Sequence, residues 1–289
     1  MTASLLPPRR RPLATSNAVS RGLSVVVTLA LTMAAAPARA DRPLWELGIG
    51  AGWLHLPHYR GSDQSRDWLL PIPYFIYRGE VFRADREGAR AMLLDQKEGV
   101  DIDISAAVNT PTRSQDNRAR EGLANLAPTV ELGPSLNYAL ARAPGWQLDV
   151  RVPARAVFTV ERKRGLIGWT ANPELHLATT ISGWDVRLQG GPVFNSRAYN
   201  QYFYDVLPAE ARPGRQAYRA PGGAAGWVGT LSASRRLGPV WIGIYTQADA
   251  LNGAAFESSP LVRQRTNISV GIGMSWVFKE STARAKDDS

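Results

Sequence analysis

The chain has 289 residues, no cysteine, 44% hydrophobic and only 20% charged residues, with 34 basic against 25 acidic side chains and a formal charge of +9. The missing cysteines exclude disulfides, thiolate metal sites and cysteine nucleophiles. A mean hydropathy of −0.21, with no long apolar run after residue 40, excludes a polytopic helical membrane protein. The length fits two domains or a single all-β barrel, and the basic balance raises nucleic-acid binding as a question.

Residues 1–40 carry the three parts of a secretory signal. Arg9, Arg10, Arg11 and Arg21 precede an uncharged stretch from Gly22 to Ala38 with an apolar centre from Val25 to Met33, and Ala38-Arg39-Ala40 supplies a small-x-small cleavage site. This segment holds five arginines and no acid, so the chain from Asp41 carries 29 basic and 25 acidic residues, a charge of +4. More than half of the basicity therefore belongs to the export signal. No basic run with interleaved aromatics follows it, and nucleic acid is not expected as a partner.

From residue 41 the pattern alternates with period two in segments of 9 to 15 residues, the signature of transmembrane β-strands. Trp45, Leu47, Ile49, Ala51 and Trp53 alternate with Glu46, Gly48, Gly50 and Gly52, and Leu70, Ile72, Tyr74 and Ile76 read as the lipid face of the next strand. In that strand Pro71 and Pro73 remove donors on a single seam, which predicts a locally loosened wall. Asp85 to Gly88 reads as a tight hairpin between short strands at 80–86 and 89–94. Later segments place Val100 to Ala106, Val130 to Leu140, Trp146 to Phe158, Trp184 to Leu188 and Thr266 to Phe278 in the same alternation.

Short turns near residues 78, 95–99, 141–145, 182 and 237–239 alternate with long polar loops at 57–67, 109–126, 196–226 and 249–263. These features predict an all-β transmembrane antiparallel barrel of twelve strands with both termini periplasmic, ten being the other count, over residues 41–278. Lys279 to Ser289 is then a disordered polar tail. All nine tryptophans fall near strand ends, Trp45, Trp146, Trp184, Trp241 and Trp276 at one rim and Trp53, Trp68, Trp169 and Trp227 at the other, as interfacial girdles facing outer-membrane lipid.

The inferred lumen face carries Asp101, Asp103, Glu131, Asp149, Glu174 and Asp185 against Arg151, Arg155 and Arg187. Mixed signs predict a network of paired charges that fills the interior, or one that sets the preference of a narrow channel. In the longest loop Tyr199, Tyr202, Phe203, Tyr204 and Tyr218 are candidates for binding, because tyrosine is favoured at hot spots; the other reading folds the loop over the barrel mouth with these rings inward. His55 and His58 stand beside Ser62 and Asp63, and His176 lies in mid-strand, but no spacing carries a mechanism. No catalytic, cofactor or metal site is expected, and the chain reads as a non-enzyme.

The runs Pro57-His58-Tyr59-Arg60-Gly61-Ser62-Asp63, Leu70-Pro71-Ile72-Pro73-Tyr74-Phe75-Ile76-Tyr77-Arg78-Gly79 and Phe82-Arg83-Ala84-Asp85-Arg86-Glu87-Gly88 resemble the N-terminal signature of the MltA-interacting protein (MipA)/OmpV family of outer-membrane proteins. Tyr199 to Val206 and the closing Gly271 to Phe278 are similar to further family segments. The resemblance implies an outer-membrane barrel that scaffolds a murein transglycosylase and a murein synthase. The alternative is a narrow small-solute channel or a surface-binding adhesin or antigen acting through its long loops. The chain departs from the common barrel ending by running eleven residues past Phe278.

Overall fold

The structure is a computed structural model that describes residues 43–79, 82–85, 88–97, 100–161 and 165–285, with the backbone alone for 82–97. The export signal, residues 86–87 at the expected hairpin tip and residues 286–289 of the tail lie outside the described residues. Thirteen strands form one antiparallel sheet: β1 Trp45–Pro57, β2 Ser65–Arg78, β3 Phe82–Asp85, β4 Gly88–Lys97, β5 Val100–Asn109, β6 Thr129–Ala143, β7 Trp146–Thr159, β8 Leu166–Ala171, β9 Glu174–Ile181, β10 Trp184–Asn195, β11 Gly223–Leu237, β12 Val240–Ala250 and β13 Thr266–Glu280. Among the described residues one α-helix, α1 Arg197–Tyr204, is present, and it lies in the longest loop.

The sheet closes on itself because β13 pairs with β1 along ten residue pairs, which leaves no free first or last strand. β8 and β9 both pair with β7 and β10 and continue one another across Asn172-Pro173. Proline cannot donate to a ladder, so it interrupts the strand at that point. Counting β8 and β9 as one broken stave, the ring has twelve staves among the described residues.

Alternation decides which side chains meet the interior. On β13 Ile268, Ile272, Met274, Trp276 and Phe278 are exposed on the outer face, while Asn267, Ser269, Ser275 and Val277 are buried inside. A continuous outer belt of this kind is what a bilayer requires of a barrel wall. On the inner face of β1, a Cβ on Gly50 would stand 2.1 Å from the carbonyl oxygen of Met274, so the close β1–β13 approach demands glycine there.

Three expectations are corrected. On β2 the lipid face is the opposite one: Leu69 and Phe75 point outward, while Tyr74 and Ile76 are buried in the lumen, 5% and 3% exposed. The strand is apolar on both sides, so alternation could not orient it. Trp241 likewise leaves the girdle and packs inside, its ring 5.9 Å from Tyr74 in a cluster with Ile76 and Val277. Residues 279–285 of the tail depart from the expected disorder as well. β13 runs on to Glu280, Ser281 donates to the carbonyl of Trp45, and Arg284 bridges to Pro43.

Candidate functional site: a capped lumen

The long loops converge into a second hydrophobic core above the barrel mouth. Tyr59, Leu126, Tyr204, Val206, Leu251, Phe256 and Leu261 are buried together, and the rings of Tyr204 and Phe256 stack with centroids 3.8 Å apart. Tyr59 donates its hydroxyl to the Leu261 carbonyl and Tyr204 to that of Arg60. Burial raises both phenols above the ordinary tyrosine value, so they stay protonated donors. Arg215 ties two loops by donating to the carbonyls of Ala119, Glu121 and Glu210.

The aromatic residues considered for binding are therefore mostly structural. Tyr204 is buried in this cap, and Tyr202, Phe203 and Tyr218 pack against it half-buried. Tyr202 also accepts the Ala127 amide at 2.8 Å. Tyr199 packs its ring at a tilt against Phe203, centroids 4.9 Å apart, and burial raises the pKa of its hydroxyl, with the charges of Glu131, Arg60 and Asp249 also reaching it. The aromatic pattern fits a hot spot and a folded cap equally; contacts between distant loops place Tyr202, Phe203, Tyr204 and Tyr218 in or against the cap core.

The Pro57 to Asp63 segment is the keystone of the cap. Gly61 has φ +94°, donates to Asn267 and accepts from Arg263 and Gln264. Arg60 pairs with buried Asp249 at 2.7 Å. Ser62, fully buried, donates to the Gln64 carbonyl and accepts from Gln64 and Asn117, while Asn117 also contacts His58 at 3.1 Å. A serine so committed has no free hydroxyl for nucleophilic attack, and Asn117 separates it from His58. His55 instead pairs with exposed Asp67 at 2.8 Å. Asp63 meets Arg118 at 3.9 Å.

Of the nine predicted charges, Asp103, Arg151, Arg155, Glu174 and Arg187 line the interior cavity, and Asp101, Glu131, Asp149 and Asp185 are held by neighbouring side chains. Asn137 donates to Asp101 at 2.6 Å, Arg155 contacts Ser105 and Glu131, Gln147 holds Asp149 beside buried His176, and Thr180 donates to Asp185. Asp103, Arg151, Glu174 and Arg187 border a cavity of about 650 Å³. At the short-turn end buried Glu46 accepts from Arg78 at 2.6 Å, from Arg236 and from Tyr74 at 3.1 Å, and Arg236 reaches Glu280 at 3.3 Å. This basal cluster uses Tyr74 and Arg78 of the motif. Glu46 and Arg236 escaped the sequence reading, although Glu46 is the one charge on a glycine face, a signal that could have flagged it. The motif's Gly79 follows directly where β2 ends. Among the described residues no group of three or more His, Asp or Glu could hold a metal.

A closed antiparallel ring with an apolar outer belt and a charged, capped interior defines an outer-membrane β-barrel protein. Residues 49–278 match the family described as MltA-interacting protein MipA, and the chain belongs to that family. No curated protein matches the chain in sequence. Solved structures similar to it include a bacterial polysaccharide outer membrane secretin, at 9% identity over 83% of this chain and 100% of that chain with a TM-score of 0.41. Others are an outer membrane channel from Pseudomonas putida F1, at 15% over 85% and 100% with a TM-score of 0.36, and outer membrane phospholipase A from Escherichia coli, at 12% over 87% and 96% with a TM-score of 0.34.

Proposed function

We propose that this outer-membrane barrel is a non-enzymatic scaffold that holds a murein transglycosylase, and with it a murein synthase, at the periplasmic face of the outer membrane. The observation that carries the reading is the asymmetry of the two ends, set beside a family described by its interaction with such a transglycosylase. At the loop end, the side chains that would recognise an external ligand are spent on the cap core. At the short-turn end, β13 and the segment before β1 are joined and braced by the Glu46 cluster, which makes a rigid, charged platform of Arg78, Arg236, Glu280 and Arg284. The first and last described residues, 43 and 285, lie at this end, which the reading places in the periplasm. The cap also disfavours an adhesin or an open aqueous channel, the alternatives from other classes.

The test is direct binding of a purified MltA-type transglycosylase to the barrel in lipid nanodiscs. Binding that is weakened by Arg284→Glu supports the scaffold. Single-channel conductance in a planar bilayer, without any transglycosylase binding, overturns it.

A further inference from the structure

We infer that the barrel wall contains a window through which the lumen binds a zwitterionic lipid from the surrounding bilayer. Among the described residues β2 pairs with β1 over its whole length but with β3 only through Tyr77 and Arg78. β5 pairs with β6 throughout, but its pairing with β4 stops at Asp103. No ladder joins β2 to β5 among the described residues. Asp67 to Phe75 on one side and Ile104 to Asn109 on the other therefore face each other across an unpaired stretch of wall. Leu69 and Val108, one on each side, are the most exposed large apolar side chains among the described residues, each 79% exposed, as expected where a flanking strand is missing.

The frame is closed above and below. Above, Thr112 donates to the His58 carbonyl, Arg118 to Gln64, and Arg66 faces Asp116 at 3.6 Å. Below stands the β3–β4 hairpin. The amide of Arg78 donates to Leu44 on the β1 side, and the β1–β2 register is unbroken, so even-numbered amides of β2 point to β1 and odd-numbered ones to the window. Pro71 and Pro73 thus stand where a free edge would otherwise offer donors to lipid, and they remove two of them. The same two gaps discourage an added strand from a partner chain, which would need those donors.

The cavity behind the window is bordered by both frame strands, through Ile72 to Ile76 and through Asp103, Ser105 and Ala106. Its wall divides lengthwise. Leu54, Ile72, Tyr74, Ile76 and Trp241 line the β12–β13–β1–β2 side, and Ile72 and Trp241 lie flat over Gly52 and Gly243, which leaves room in the lumen. Arg151, Arg155, Arg187, Asp103 and Glu174 line the other side. The window opens at the junction of the two. Among the described residues the cap stands over one end and the basal cluster under the other, so the proposed approach is from the side. Guanidiniums and carboxylates together suit a phosphate joined to an ammonium, with an alkyl tail along the apolar side and out through the window.

The probe is spin-labelled lysophosphatidylcholine added to the protein in nanodiscs. A motionally restricted component, saturating at one label per barrel, is expected to be displaced by unlabelled lysophosphatidylcholine but not by monoacylglycerol or by free phosphocholine. Arg151→Gln or Arg187→Gln is expected to weaken binding roughly tenfold or more, the loss of one charge-assisted contact. Equal displacement by monoacylglycerol would overturn recognition of the head, and displacement by phosphocholine would overturn the bilayer as the source. Hydrogen exchange in the unmodified protein tests the window itself: the amides of Leu69 and Phe75 exchange fast and those of Leu70 and Ile72 slowly, and equal protection would mean a sealed wall.

Discussion

Replacing Phe256 with alanine separates the stability of the cap from that of the barrel. The ring is fully buried and stacks on Tyr204, whose hydroxyl in turn holds the backbone of Arg60. Truncating a buried phenylalanine costs about 3–5 kcal/mol, the spread depending on how far the site collapses. Spent on local opening of the cap, this is roughly a two to three-and-a-half order-of-magnitude rise in the open population. The barrel ladders do not pass through Phe256, so the wall keeps its strength. Hydrogen exchange in nanodiscs reads both at once: the Val206 and Tyr218 amides, which bond to each other's carbonyls across the loop, lose protection, while amides of the β12–β13 ladder do not. Phe256→Leu retains much of the protection. Equal loss in cap and ladder would refute two separate units, and no loss at Val206 would refute the cap core.

Gly50→Val drives a side chain into the Met274 carbonyl and is expected to block closure of β1 on β13, seen as loss of the heat-modifiable folded band on gels. Glu46→Ala leaves Arg78 and Arg236 without their shared carboxylate; a buried pair broken on one side costs about 3–5 kcal/mol, less here because Arg236 is partly exposed, and the melting temperature falls. Burial lowers the His58 pKa below the ordinary 6.5, opposed by Asp116 and aided by Arg66, so protonation is harder in the folded cap than in the open loop. Cap stability is thus complete above pH 6.5 and declines as the pH falls below it, which proteolysis of the loops between pH 7.5 and 5 would show and His58→Gln would flatten. Replacing Pro71 and Pro73 together with threonine leaves the β1–β2 ladder unchanged and restores two edge donors, so heat stability holds while edge-to-edge dimers increase on cross-linking.

The barrel was legible because its wall is written in strict alternation. Where one face is polar, as on β7 with Asp149, Arg151 and Arg155, the lumen side follows from the sequence alone. β2 failed that test because Ile72, Tyr74 and Ile76 inside are as apolar as Leu69 and Phe75 outside. Its orientation comes from partners 28 and about 170 residues away, Glu46 and Trp241. The cap was illegible for a related reason. Its core joins four loops, each polar on average, and only their meeting shows that Tyr59, Tyr204 and Phe256 are interior residues.

The family motif reads as one run from Pro57 to Gly79, yet the fold spends it on three tasks along a single hairpin. Pro57 to Asp63 locks the cap, Pro71 and Pro73 finish the unpaired edge, and Tyr74 with Arg78 completes the basal cluster. β2 is the one stave that touches all three, because it rises beside the window from the charged base to the keystone loop. A rigid β1–β2 hairpin follows, fastened at both ends and free on one side between them. That geometry lets the wall lack a neighbour without unravelling: the edge is held from its two ends and along β1, so the missing ladder costs local protection rather than closure of the ring.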